Sequence, residues 1–226
     1  MSARETFRQA LTHLSQAYGP EDDLCLPFLT VLPVLGAAVS TLGDPLGSAT
    51  VCASDTSAAR LDEIQIDLGE GPCWDAMTSG RPVLESDLQG SAGDRWPIAS
   101  TALRETGIAA VFAFPLVYGR LSLGAIDFYG DRSARFDADD IDDASALAGV
   151  AARQVFHRAM DRLDAPGSDD LAFPREAHQA SGMMSVQLDI PVDDALLILR
   201  GHAYATSRSV REVAADVVSR RLDFSE

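Results

Sequence analysis

The run DLGEGPCWDAMTSGRPVLESDL, residues 67–88, sets a cysteine just behind a glycine turn and at the start of a predicted helix. Gly69 and Gly71 free the backbone for a tight turn, Pro72 suits the first position of a helix, and Arg81 with Pro82 leads into a strand. A thiol near a helix N-terminus tends toward a lower pKa, which makes Cys73 a candidate redox sensor. A buried cysteine is more often a small inert hydrophobe, and that is the expectation here. The turn itself has two open readings. Either its N–H groups face a cavity and hold a polar ligand, with Gly69, Gly71, Cys73 and Trp74 as the binding residues, or the glycines only shape a loop.

A second group of residues lies near the C-terminus, where Arg200, His202, Tyr204, Arg208, Arg211 and Arg220, with Arg221 beside them, combine basic and aromatic side chains. Such a set can meet phosphates and stack on unpaired bases, or it can contact a protein, or it can form a solvated helical face. Residues 169–226 hold six arginines against ten acidic side chains, so their charge alone does not favour a polyanion.

Other chemistry is not indicated. His13, His157, His178 and His202 are far apart, and no G-x-S-x-G or H-E-x-x-H occurs. Cys25, Cys52 and Cys73 are widely spaced and odd in number, so neither a disulfide framework nor a zinc site is expected. The clusters at 139–143 and 169–170 read as a helix start and a solvated linker rather than a metal site. No catalytic residue, no metal and no named cofactor follow, and the chain is expected not to be an enzyme.

These residues sit in a chain of 226 amino acids, 46% apolar, with 34 acidic and 18 basic side chains and a net charge of −16. Every basic residue of that count is arginine. The acidity argues against non-specific nucleic-acid binding, though not against a local arginine surface. No apolar stretch approaches the roughly 18–20 residues that span a bilayer, and the N-terminus lacks a signal-peptide layout, so the expected location is the cytoplasm.

The elements that must position the candidate residues follow from periodicity. Residues 1–18 read as a helix with Phe7, Ala10, Leu11, Leu14 and Tyr18 on one face. Segments 37–42, 49–53, 82–84, 109–117 and 121–129 read as strands, the last two joined by a hairpin turn at Tyr118–Arg120, while 73–79 and 97–106 read as helices. A long helix starts at the N-cap Asp137, with Ile141, Ala144, Ala148, Ala151 or Ala152, Val155, Ala159 and Leu163 recurring every three to four residues. That stripe either pairs two chains into a homodimer or lies on its own domain. Residues 164–174 break the helix and separate a domain at 1–163 from a module at 175–226. In the module, Pro191 with Asp193 and Asp194 opens the second helix, and Ser209 with Glu212 forms a capping box for the third. The apolar faces Ala177, Ala180, Met184, Leu188; Ala195, Leu196, Leu199, Ala203; and Val210, Val213, Ala214, Val217, Val218 give three helices one shared core.

Two resemblances follow from these segments. GEGPCWDAMTSGRPV, ALRETGIAAVFAFPL, LSLGAIDFYGDR and FDADDIDDASALAGVAARQV, in that order, resemble the GAF domain over roughly residues 5–163. The resemblance implies an α+β fold, an antiparallel sheet with flanking helices, which serves as a small-molecule sensor or a dimer scaffold. HQASGMM, PVDDALLILRGHAYATSR and SVREVAADVV resemble the ANTAR domain, a three-helix RNA-binding module of bacterial antitermination regulators. GAF followed by ANTAR is an arrangement of actinobacterial regulators that act as dimers on paired stem-loops in nascent transcripts. The expected function is therefore an RNA-binding antitermination regulator under control of a GAF sensor. The alternative is a small-molecule or redox-sensing GAF protein whose helical tail contacts another protein.

Overall fold

The structure is a computed structural model that describes residues 2–43, 46–90, 95–131, 135–164, 175–206 and 208–224. The side chains of residues 162–164, 175 and 204 are outside that description, and so is nearly all of the expected linker at 164–174. The chain divides into two compact units, Met1–Ser168 and Asp169–Glu226.

In chain order the first unit holds α1 (Ala3–Gln16), α2 (Leu26–Leu29), β1 (Gly36–Thr41), β2 (Ala49–Ala53), α3 (Thr56–Leu68), α4 (Pro72–Ser79), β3 (Val83–Glu85), α5 (Ala99–Glu105), β4 (Ala110–Tyr118), β5 (Leu121–Gly130) and α6 (Ala138–Asp164). The five strands form one antiparallel sheet in the order β2-β1-β5-β4-β3. The expected strands are all present, and β4 and β5 meet at the expected hairpin, with Tyr118 paired to Leu121.

Strand alternation sorts the sheet into two differently built faces, because successive side chains point to opposite sides. Ala37, Val39, Phe112, Phe114, Leu116, Ile126 and Phe128 project into an apolar cluster completed by α1, α2 and α6. Their neighbours Val111 and Ala113 project into a second cluster, with Leu61 and Ile64 of α3, Ala76 of α4 and Leu103 of α5. Ala38 pairs with Asp127, and Ser40 pairs with both Thr50 and Ala125, so the middle of this second face is polar and small rather than aromatic.

Asp137 and Asp140 start α6 by reciprocal side chain to backbone hydrogen bonds of 2.9 and 3.1 Å. Ala144, Ala148, Ala151, Ala152, Val155 and Ala159 are buried in the same cluster as Ala10, Leu14 and Phe114. The stripe expected as a pairing seam is thus covered by its own domain from Ile141 to Ala159, while the Leu163 side chain lies outside the described residues, and the homodimer expectation loses most of the surface on which it rested. Small alanines recur because α1 and the sheet approach this face closely.

The second unit holds α7 (Arg175–Leu188), α8 (Val192–Ala205) and α9 (Val210–Val218). Ala177, Ala180 and Met184 of α7, Ala195, Leu199 and Ala203 of α8, and Val210, Val213, Ala214 and Val217 of α9 are its buried apolar residues. Ser209 Oγ accepts from the Glu212 amide and Glu212 Oε2 accepts from the Ser209 amide, which is the expected capping box. The α7–α8 corner turns at Asp189 with φ of 53° and is closed by Ser185, whose hydroxyl donates to the Ile190 carbonyl at 2.6 Å.

Candidate functional site

The glycine turn joins α3 to α4 above the polar face of the sheet. Asp55 caps α3 by accepting from the amides of Ser57 and Ala58 at 2.8 and 2.9 Å. Gly69 ends that helix in the left-handed region, φ 66°, with its amide bonded to the Gln65 carbonyl. Gly71 has φ of 139°, and a Cβ there would lie 2.6 Å from Gln65 Oε1. Pro72 then opens α4, as its position in the sequence predicts.

Of the two open readings of the turn, the loop-shaping one accounts for the Cys73 amide, because Gln65 takes its hydrogen bond. Its Oε1 accepts from the Cys73 amide at 2.9 Å, and its backbone carbonyl accepts from Trp74 Nε1 at 2.7 Å. Its Nε2 donates to Asp127 Oδ2 at 2.7 Å and to the Leu61 carbonyl at 3.3 Å. The Cys73 amide does not face an open cavity. It belongs to a buried polar site in which one glutamine ties α3, α4 and β5 together.

Two carboxyl groups complete this site. Asp62 of α3 and Asp127 of β5 are almost wholly buried. Asp62 Oδ2 accepts from Thr50 Oγ1 of β2 at 2.5 Å, and Ser40 of β1 faces Asp62 outside hydrogen-bonding geometry. The second oxygens, Asp62 Oδ1 and Asp127 Oδ1, have no hydrogen-bond partner among the described residues. Burial pushes the Asp62 pKa up to about 6 despite the opposing pull of Thr50 and Ser40. Burial, with the charge of Asp62 second, pushes Asp127 well above the usual carboxylate range, against the opposing pull of the Gln65 hydrogen bond.

The same surroundings decide between the two readings of Cys73. Burial raises its thiol pKa, Asp127 and Asp62 raise it further, and the residue is fully enclosed. The helix start does not activate it. The site therefore offers hydrogen-bonding groups and a titrating carboxyl, with no thiolate nucleophile.

Sequence reasoning missed Asp62, Gln65, Asp127, Ser40 and Thr50, and also missed α3. A usable signal was present in GAIDFYG, where an acidic residue interrupts an otherwise apolar strand. The cysteine reading is corrected as well, since Cys25 and Cys52 form a disulfide across 27 residues and only Cys73 is free. A carboxylate oxygen of Asp23 and both bonded sulfurs lie within 4.8 Å of one another. These three groups could hold a soft metal ion only with the bond reduced.

Residues 2–154 match the family profile described as GAF domain. The chain belongs to the GAF domain family. GAF domains are sensor domains of signalling proteins. The GAF domain of a phosphoenolpyruvate-protein phosphotransferase from Coxiella burnetii is 17% identical with a TM-score of 0.53, and the match covers 70% of this chain and 95% of that one. The corresponding domain from Acinetobacter is 12% identical with a TM-score of 0.51, with 70% and 95% covered. The GAF domain/HD domain protein from Geobacter sulfurreducens is 19% identical with a TM-score of 0.50, with 66% and 98% covered. At these identities the likeness is one of fold. Comparison with curated proteins gives no match.

Beyond the GAF unit, the C-terminal candidates are distributed unevenly. Arg208 and Arg221 both pair with Asp216, each at 2.6 Å, and their bonds hold its carboxyl below the usual range. Arg211 and Arg220 are exposed, the latter just past α9 with φ of 58°. Arg200 is half-buried on α8, and His202 meets the Phe224 ring edge-on at 5.2 Å. The Tyr204 side chain is outside the described residues. Among the described residues no helix is long and apolar enough to cross a membrane.

Proposed function

We propose that the chain is a signal-responsive RNA-binding regulator, in which the GAF unit senses a small molecule and the C-terminal unit reads stem-loops in nascent transcripts, as ANTAR modules do in antitermination. The observation that carries this reading is the second unit itself. Its three helices share a core separate from the GAF unit, they fall on the segments that resemble ANTAR, and they leave Arg211 and Arg220 exposed. A small helical unit with its own apolar core suits an output role.

The division of labour follows from the chemistry of each unit. The second carboxyl oxygens of Asp62 and Asp127, without partners among the described residues, are the groups by which the GAF unit recognises a ligand through hydrogen bonding. The arginines of the second unit supply phosphate contacts against an acidic background, so binding depends on local placement rather than net charge. The protein acts in the cytoplasm, as a homodimer on paired stem-loops through a surface other than the α6 stripe, and it catalyses no reaction.

A second reading, contact of the tail with a protein, is favoured by Val186 and Leu197, which are 84% and 66% exposed. Titration of the full chain with a two-stem-loop RNA, with and without the Arg211→Ala change, separates the two. RNA binding that weakens in the variant supports the first reading. Absence of RNA binding supports the second.

A further inference from the structure

The Cys25–Cys52 bond lies outside the buried carboxyl site, and each of its ends belongs to a different working part of the GAF unit. Cys25 lies in the loop between α1 and α2, where its amide donates to Asp23 Oδ1 at 2.7 Å. That loop is held by the long helix. Arg158 of α6 donates to the carbonyl oxygens of Ala17 and Asp22 at 3.1 and 2.9 Å, and Gln154 Nε2 donates to that of Ser15 at 2.9 Å. Cys52 lies on the edge strand β2. Two residues before it, Thr50 bonds Asp62. Two and three residues after it, Ser54 donates to Asp55, the N-cap of α3. One covalent bond thus joins the loop clamped by α6 to the strand that positions the buried carboxyl pair.

We propose that Cys25 and Cys52 form a reversible thiol–disulfide switch, opened by dithiols and closed by hydroperoxides, that couples the redox state of the GAF unit to α6. Cys52 is half-buried on the edge strand whereas Cys25 is enclosed, so Cys52 is the more exposed end of the bond and the one for an external thiolate to attack. Cys73, the remaining thiol, is buried and protonated, so it does not compete in exchange.

Opening starts when one thiolate of a dithiol attacks the Cys52 sulfur. The S–S bond breaks, Cys25 leaves as a thiolate and takes a proton, and a mixed disulfide forms. The second thiolate of the dithiol attacks that mixed disulfide, Cys52 leaves and is protonated, and the dithiol departs as its disulfide after giving up two electrons. Closing starts when the Cys52 thiolate attacks a hydroperoxide oxygen. The O–O bond breaks, an alcohol or water leaves, and a sulfenic acid forms. The Cys25 thiolate then displaces water from that sulfur to restore the bond. In the open state β2 loses its tie to the α1–α2 loop. Thr50, and through it Asp62, then shifts independently of the clamp made by Arg158.

The switch concerns the sensor unit alone and does not depend on RNA binding. Its test uses the folded full chain equilibrated in dithiothreitol buffers, then denatured, alkylated with N-ethylmaleimide and weighed. Of the three cysteines, one should be labelled before reduction, three after it, and one again after stoichiometric hydrogen peroxide. Amide exchange compared between the two redox states of the wild type should quicken in residues 17–25 and in β2 on reduction. Cys73→Ser should keep the same cycle with one label fewer at each stage. Three labels in the oxidised chain, a bond that opens only after denaturation, or opening without faster exchange in both segments would each overturn the proposal.

Discussion

The side-chain amide of Gln65 donates to Asp127 Oδ2 at 2.7 Å, joining α3 to β5 across 62 residues of sequence. The same side chain accepts from the Cys73 amide. One residue therefore fixes the glycine turn, the helix it follows and the helix it opens onto the centre of the sheet.

Gln65→Leu keeps the volume and removes both functions. It leaves a buried carboxyl oxygen and a buried amide without partners, each costing about 1–3 kcal/mol. The expected loss is on the order of 3 kcal/mol, read as a lower urea midpoint with unchanged slope. A change below about 0.5 kcal/mol would show that the glutamine is not the hub of the site.

Asp62 gives the GAF unit a defined pH dependence. Its folded pKa of about 6 exceeds the ordinary value of 3.8, so the folded state binds this proton more tightly than the unfolded chain. The associated stability is fully present below the ordinary value and is lost as pH rises through about 6. Asp62→Asn removes the charge and keeps an acceptor for Thr50. The variant should gain up to about 3 kcal/mol at pH 8 and lose Asp62's share of the slope in stability between pH ~4 and ~7, while Asp127, whose pKa burial also raises, keeps its own. Thermal melts across that range check it, and a slope equal to that of wild type contradicts it.

Sheet strands and the final helices were legible because their apolar periodicity agrees with their burial. Ser209 and Glu212 likewise gave a local capping signal that packing does not override. α3 was not legible, since Asp62 and Gln65 put polar side chains on its buried face, where a periodicity reading expects apolar ones. The same two residues build the buried polar site, so the helix and the site escaped notice together. Ala148 and its neighbours had the opposite problem. Their spacing suits a seam between chains as well as a contact within one, and only the position of α1 and the sheet decides. The Cys25–Cys52 pairing has no local signal at all, because the contact is made by tertiary structure.

The glycines at the two ends of α4 should respond differently. Gly71→Ala meets both a disallowed backbone region and Gln65 Oε1 at 2.6 Å, whereas Gly80→Ala, at φ of 64° with nothing within 4 Å of its Cβ, meets only the cost of a left-handed residue. Expected losses are about 3 kcal/mol for the first and about 1 kcal/mol for the second. Equal losses, measured by denaturant titration, would show that Gln65 does not pack against the turn.

Ala148→Leu tests where the α6 stripe is used. Ala148 is 2% exposed inside its own domain, so the larger side chain should overpack the core and cost about 1–3 kcal/mol. Sedimentation velocity should give the same assembly state as wild type. A stabilised chain with tighter self-association would restore the seam.

The central claim, that the C-terminal unit reads RNA, is tested most directly by the salt dependence of binding of the full chain to a two-stem-loop RNA. Exposed Arg211 is the residue to remove, since Arg208 and Arg221 are engaged with Asp216 and their loss also disturbs the module. Each phosphate contact to unpaired RNA contributes roughly 0.7 to the slope of log affinity against log salt. Arg211→Ala, with helicity unchanged, is predicted to weaken binding and to flatten that slope by about this amount. An affinity and slope identical to wild type, or no binding by the wild-type chain, would contradict the account.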